Sequence, residues 1–173
     1  MFHCHTDYSL LDSATKTKEY IDLCLRDGSR ALSISEHGKP LNWTEKYAAC
    51  KEAGIKYIHS VEIYLTESLD QKVRDNYHTI LMAKNWDGVK EINNLIKMSC
   101  DSEHFYYNNR ISFEEFLSLS DNIISTSACL ASPLSKLEES NPWFLRLANK
   151  YTFLEIQPHI CPAQAEFNKK LYK

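Results

Sequence analysis

Ala31-Leu32-Ser33-Ile34-Ser35-Glu36-His37-Gly38 is a short apolar run that ends on Glu, His and Gly. Leu and Ile alternating with small Ser residues fit a strand over Ala31 to Ser35. The polar residues then sit just past its C-terminal end. Helical patterns flank it on both sides. Upstream, Tyr20, Ile21, Cys24 and Leu25 share one face of a helix from Lys16 to Asp27, and Gly28 supplies the left-handed stop. Downstream, Trp43, Tyr47 and Cys50 mark the inward face of a helix over Asn42 to Ala53, which Gly54 ends. A strand between two helices is the unit of an α/β fold.

The same alternation continues outward. Ile55 to Leu65 reads as a strand bent around His59-Ser60, Leu69 to Asn76 is turn-like, and Tyr77 to Ala83 is a strand. A helix follows from Asp87 to Cys100, carrying Val89, Ile92 and Ile96. Ser112 with Glu115 three residues on is a capping-box signature that opens a short helix. Asn122 to Ser127 is a strand, the next helical stretch divides near Ser140-Asn141-Pro142, and Thr152 to Gln157 is again a strand. Pro162 opens a last helix through Phe167 and Leu171. This order predicts parallel pairing in an α/β layer or barrel, with reactive residues at the C-terminal ends of strands. No repeat or composition break divides residues 1–173, which are expected to form a single domain.

Hydrophobic residues make up 43% and charged residues 25%, the profile of an ordinary globular protein. A net charge of −3 excludes a basic nucleic-acid footprint over the whole domain. Any DNA contact is expected to be local, through a few Lys or Arg or through metal ions. Six Cys, at 4, 24, 50, 100, 129 and 161, form no Cys-x-x-Cys pair, and no signal peptide or long apolar segment is visible. A cytoplasmic chain with reduced thiols and no membrane partner is expected. The four Gly stand alone at 28, 38, 54 and 88, which excludes a nucleotide-binding glycine loop. The chain is also too short to hold a polymerase active site.

Several side chains suit metal chemistry. His3 and His5 are two apart, so on a strand both imidazoles point one way and Cys4 points into the packing. Asp12 follows after a polar turn. His37 lies just past its strand, Glu62 stands among apolar strand neighbours, His78 opens the strand that follows, and Cys129 comes after Ser127. A buried carboxylate needs a partner, and a metal ion is one, although Glu62 alone also reads as a satisfied acid or a solvent-facing one. His59 and His104 read as ordinary surface or core histidines, and the other Cys as core filling. Imidazoles, carboxylates and a thiol suit Zn, Mn or Fe better than Mg or Ca. Seven candidates exceed one tetrahedral ion, so two or three divalent ions are expected. Such a cluster makes hydroxide near neutral pH and stabilises an in-line phosphoryl displacement.

His3-Cys4-His5-Thr6-Asp7-Tyr8-Ser9-Leu10-Leu11-Asp12 resembles the opening motif of the polymerase and histidinol phosphatase (PHP) domain. More narrowly, it is similar to the version in bacterial DNA polymerase III alpha subunits. The likeness continues in order through 31–38, 53–64 and 78–85. It then runs through Phe105-Tyr106-Tyr107 with Arg110-Ile111, Ser127-Ala128-Cys129-Leu130, and Leu154-Glu155-Ile156-Gln157-Pro158-His159. The resemblance implies a distorted (β/α)7-type PHP barrel with a metal cluster at its mouth, held by His3, His5, Asp12, His37, Glu62, His78 and Cys129. His159 is a motif residue but not an implied ligand. Glu36 stands where the family usually has Asp. The family's closing Asp-x-His pair is expected after Lys173, so the barrel is expected to be truncated before its last strands.

This likeness implies metal-dependent phosphodiester hydrolysis, including 3′→5′ exonuclease proofreading beside a polymerase. DNA and other replisome subunits are then partners through the parent polymerase. An inactive scaffold that stabilises the polymerase or docks a partner is the alternative, and a free histidinol-phosphate phosphatase a weaker one. With two ligands missing from the cluster, weak or absent hydrolysis is expected of this chain alone.

Overall fold

The computed structural model describes residues 2–172. Helix α1 spans Thr17–Asp27, β1 Ala31–Ser33, α2 Trp43–Glu52, β2 Lys56–Ile58, β3 Ser60–Thr66 and β4 Tyr77–Ala83. Then come α3 (Trp86–Ser99), β5 (Arg110–Ser112), α4 (Phe113–Ser118), β6 (Ile123–Thr126), α5 (Pro133–Lys136), α6 (Pro142–Lys150) and α7 (Pro162–Leu171). Local chemistry sets most boundaries. Gly28, at φ 75°, donates to the Cys24 carbonyl and stops α1. Ser112 and Glu115 form the expected capping box on α4. Pro142 and Pro162 each begin a helix, where a missing N–H costs nothing.

The strands form two sheets among the described residues, not one closed barrel. β1 and β2 pair in parallel, and a four-stranded sheet has the order β5-β3-β4-β6. The expected all-parallel pairing is corrected here. β4 runs antiparallel to both β3 and β6, and only β3–β5 is parallel in the larger sheet. The physical reason lies in residues 67–76, which carry no crossover helix, so the chain turns back beside β3. The strand expected over Thr152 to Gln157 is absent as a ladder. Phe153 makes one bridge to Thr126, and beyond it the Glu155 amide is taken by the Ser127 hydroxyl at 2.8 Å. The strand expected to Ser35 ends its β2 ladder at Ser33, since the Ser35 amide turns to the Cys4 carbonyl at 2.8 Å.

Period-two alternation splits the larger sheet into two faces. Val61, Ile63, Leu65 and Leu81 join Ile92, Phe113, Phe116 and Leu147 in the main core beneath α3, α4 and α6. A second core between α1, β1 and α2 holds Ile21, Cys24, Leu32, Ile34 and Cys50. Leu25 and Tyr47, expected to face inward, are exposed, because each lies off the stripe centred on Ile21–Cys24 and Cys50.

Candidate metal centre

With Val61, Ile63 and Leu65 committed to the helices, Glu62 and Tyr64 face the other way. His78 joins them from β4, directly opposite Tyr64 in the ladder, with ring centroids 5.3 Å apart. His37 arrives just past β1, where its backbone bridges Glu62 and the Gly38 amide donates to the Glu62 carbonyl at 2.7 Å. This turn requires glycine. Gly38 has φ +69°, and a Cβ there would lie 2.6 Å from Asn109 Oδ1. His3 and His5 lie in a segment without a strand ladder, yet both imidazoles turn to one side, with their Nε2 atoms 3.2 Å apart. Cys4 between them is buried, as the spacing predicts.

Glu62, 1% exposed, is the hub. Its Oε2 lies 3.1 Å from His3 Nε2 and 3.7 Å from His5 Nε2. Its Oε1 lies 2.7 Å from His37 Nδ1 and 2.8 Å from His78 Nδ1. Asp12 Oδ2 approaches from the exposed side, 3.2 Å from His37 Nε2 and 3.8 Å from His5 Nε2. The structure thus gathers six of the seven expected residues into three overlapping groups: His3, His5 and Glu62; His5, Asp12 and His37; His37, Glu62 and His78. Cys129 stands outside those groups, beside them. Its Sγ is 3.6 Å from His78 Nδ1, presented by Ala128 in a left-handed conformation at φ 53°.

Burial alone would protonate Glu62, but the His3, His37 and His78 contacts hold its carboxyl far below the usual carboxylate range. Burial pulls His3 down, and its bonds to Glu155 and Glu62 outweigh that and raise it to about 10. His78 follows the same balance, with Cys129 and Glu62 lifting it to about 9. His5 is lowered, chiefly by burial. Burial raises the Cys129 thiol, yet His78 and the Ala131 amide bring it below the ordinary value, toward thiolate.

The donor set fits divalent cations. His5 Nδ1, His37 Nδ1 and Glu62 Oε1 are buried without a hydrogen-bond partner, although the last two approach within 2.7 Å. The ligand atoms of each group lie within 4.8 Å of one another, near enough to share an ion. Two imidazole nitrogens at 3.2 Å can share at most one hydrogen. Metal–nitrogen bonds of about 2.0–2.1 Å place neighbouring ligand atoms at such separations.

Three supporting residues escaped the sequence reading. Glu155 Oε1 holds His3 Nδ1 at 2.7 Å and is itself fixed by Thr126 and Gln157, an arrangement that turns His3 Nε2 toward the cluster. Its signal lay in Leu154-Glu155-Ile156-Gln157-Pro158-His159, where His159 drew notice but is exposed. Glu36 does not face the cluster. Fully buried, it binds Lys46 Nζ at 2.5 Å and accepts from Thr6 and Ser9, while Ser9 Oγ accepts from the His37 amide at 3.2 Å. Tyr64, stacked against His37 with centroids 6.2 Å apart, keeps its hydroxyl proton because burial pushes it up to about 12. His59 and His104 are buried and bonded to Asn93 and Glu115, away from the cluster.

Residues 2–159 match the family model for the PHP domain. The chain belongs to the PHP domain family. Similar relatives are the DNA polymerase III alpha subunits of Borreliella burgdorferi (32% identity, 99% of this chain) and Aquifex aeolicus (30% identity, 98% of this chain). That of Helicobacter pylori is 35% identical over 74% of this chain. The PHP chain spans 16% of the length of the first two and 11% of the third. Among solved structures, a Bifidobacterium adolescentis protein assigned as a metal-dependent phosphoesterase has a TM-score of 0.59 at 14% identity. That likeness covers 98% of this chain and 81% of the other and shows a shared fold. No described helix is long and apolar enough to cross a membrane.

Proposed function

We propose that this PHP domain is a metal-dependent phosphoesterase acting on phosphodiesters, with 3′→5′ exonuclease proofreading as its role in a DNA polymerase III alpha-type parent. The observation that carries this reading is the convergence of four imidazoles on one buried carboxylate, in groups whose ligand atoms lie within 4.8 Å of one another. His3, His5, Asp12, His37, Glu62, His78 and Cys129 would hold two or three Zn, Mn or Fe ions. Bound ions would supply hydroxide and neutralise a phosphoryl oxygen. Glu155 orients His3, the Glu36–Lys46 pair fixes the segment bearing His37, and Tyr64 offers a neutral hydroxyl at the wall. A distorted barrel, a cytoplasmic setting, and DNA and replisome subunits as partners through a nucleotidyltransferase parent belong to the same reading.

The test is release of nucleotides from a 3′-labelled single-stranded oligonucleotide with Mn, Zn or Fe, against EDTA and against His3→Ala/His5→Ala. Metal-dependent release, weak in this chain alone and lost in the double variant, supports the proposal. The net charge of −3 favours the second reading, a scaffold, which predicts no turnover with any of the three metals.

A further inference from the structure

A cleft of about 500 Å³ lies between α2 and α3, sharing no residue with the metal cluster. Its size suits a small organic ligand. Trp43 and Tyr47 come from α2, Tyr57 from β2, and Trp86 from the first position of α3. Trp86 is 62% exposed, so a large ring stands at the mouth with surface to spare. Lys56 and Lys84 line the same cleft, and no acidic side chain does among the described residues. Among the described residues neither lysine is in an ion pair, unlike Lys16, Lys18, Lys46 and Lys90.

His59 adds a directional group. It lines the cleft, is 4% exposed, and packs edge-on against Trp43 at 5.0 Å. Its Nε2 lies 3.1 Å from Asn93 Oδ1, an atom that only accepts, so Nε2 carries the hydrogen. Burial keeps the ring neutral against the pull of Asn93. Nδ1 is therefore a buried acceptor, and it has no partner. Buried polar atoms are nearly always paired, so this acceptor is open to a donor that a ligand or a water supplies.

We propose that this cleft binds a nucleoside phosphate, with the base against the Trp43, Tyr57 and Trp86 rings, a base N–H on His59 Nδ1, and the phosphate on Lys56 and Lys84. Each part of the ligand answers a feature that other classes leave open. An apolar peptide segment would leave two lysines and the His59 acceptor unmatched, and inorganic phosphate would leave the rings uncovered. Stacking tolerates any base, since every base has a π-face and an N–H edge. The ligand is either a free nucleotide or a residue of a nucleic-acid strand. This site is independent of hydrolysis at the metal centre.

The experiment titrates the full chain in EDTA with AMP, adenosine and inorganic phosphate, by calorimetry and tryptophan fluorescence. AMP is expected to bind saturably, adenosine more weakly, and inorganic phosphate more weakly still, competing with AMP only at high concentration. Trp86→Ala should weaken AMP about tenfold or more, the scale of one lost base–aromatic stack. Lys84→Gln should weaken AMP and leave adenosine unchanged, and His3→Ala/His5→Ala should bind AMP as the parent does. A pentathymidylate that binds more tightly than TMP assigns the cleft to a strand, and one that binds more weakly assigns it to a free nucleotide. No saturable binding of AMP would overturn the proposal. So would parental AMP affinity in both cleft variants, or loss of AMP binding in the double-histidine variant.

Discussion

His3 touches three partners, and the least expected of them decides its orientation. Glu155 accepts from its Nδ1, which leaves Nε2 free for the cluster. Glu155→Gln is predicted to lower metal affinity by about 10- to 100-fold without unfolding the chain. Chelator competition with circular dichroism as a control checks this; unchanged affinity would remove Glu155 from the account. The metal-free cluster also makes a pH prediction. His3 and His78 are raised to about 10 and about 9 from 6.5, so the folded state holds protons that the unfolded chain releases. Their stabilisation is complete below pH 6.5 and is lost as pH rises through 9 and 10. In EDTA, Tm should therefore fall across that window. Metal binding runs the other way, because ligands must shed protons to coordinate. Added metal should raise Tm more at pH 8 than at pH 6, and an equal rise at both would contradict the assignment.

Elements, not single side chains, bring His37 to its place. α2 is tied to the segment after β1 by Lys46 and Glu36, both fully buried. Thr6, Ser9 and Lys46 all donate to Glu36 and keep its carboxyl below the ordinary value despite burial. Lys46→Met leaves that buried carboxylate without its counter-charge and is predicted to cost about 3–5 kcal/mol in urea unfolding. Glu36→Gln/Lys46→Met should recover much of the loss, and a double variant no better than the single would refute the pairing. None of this was legible in the sequence, where Lys46 looks like any helical surface residue and Glu36 like a tolerated replacement. What was legible is local. Gly28, Ser112 with Glu115, Pro142 and Pro162 announce boundaries through chemistry confined to a few residues. Strand direction is not local, and the helix-free connection over 67–76 was its one available sign. Glu155 stayed hidden because its partner lies 152 positions away.

At the scale of the whole molecule, the expected ligands come from separate pieces of chain: the N-terminal segment, the turn after β1, β3, β4 and the loop after β6. His3 meets Glu155 and Thr126 meets Phe153, so the first and late segments close around the same centre. Ions bound there would cross-link parts that otherwise sit in two sheets. Saturating metal at about 100 times its Kd is therefore predicted to add about 2.7 kcal/mol of stability, reversed by EDTA. Matching Tm values with and without chelator would argue against occupancy. The resemblance named the ligand positions, while the spacing of His3 and His5 alone stated only that two imidazoles face one way. The most direct test of the central claim is the metal content of the purified chain, set against His3→Ala/His5→Ala. The account predicts at least one equivalent of Zn, Mn or Fe, lost in the double variant; no metal in either chain, or equal metal in both, would contradict it.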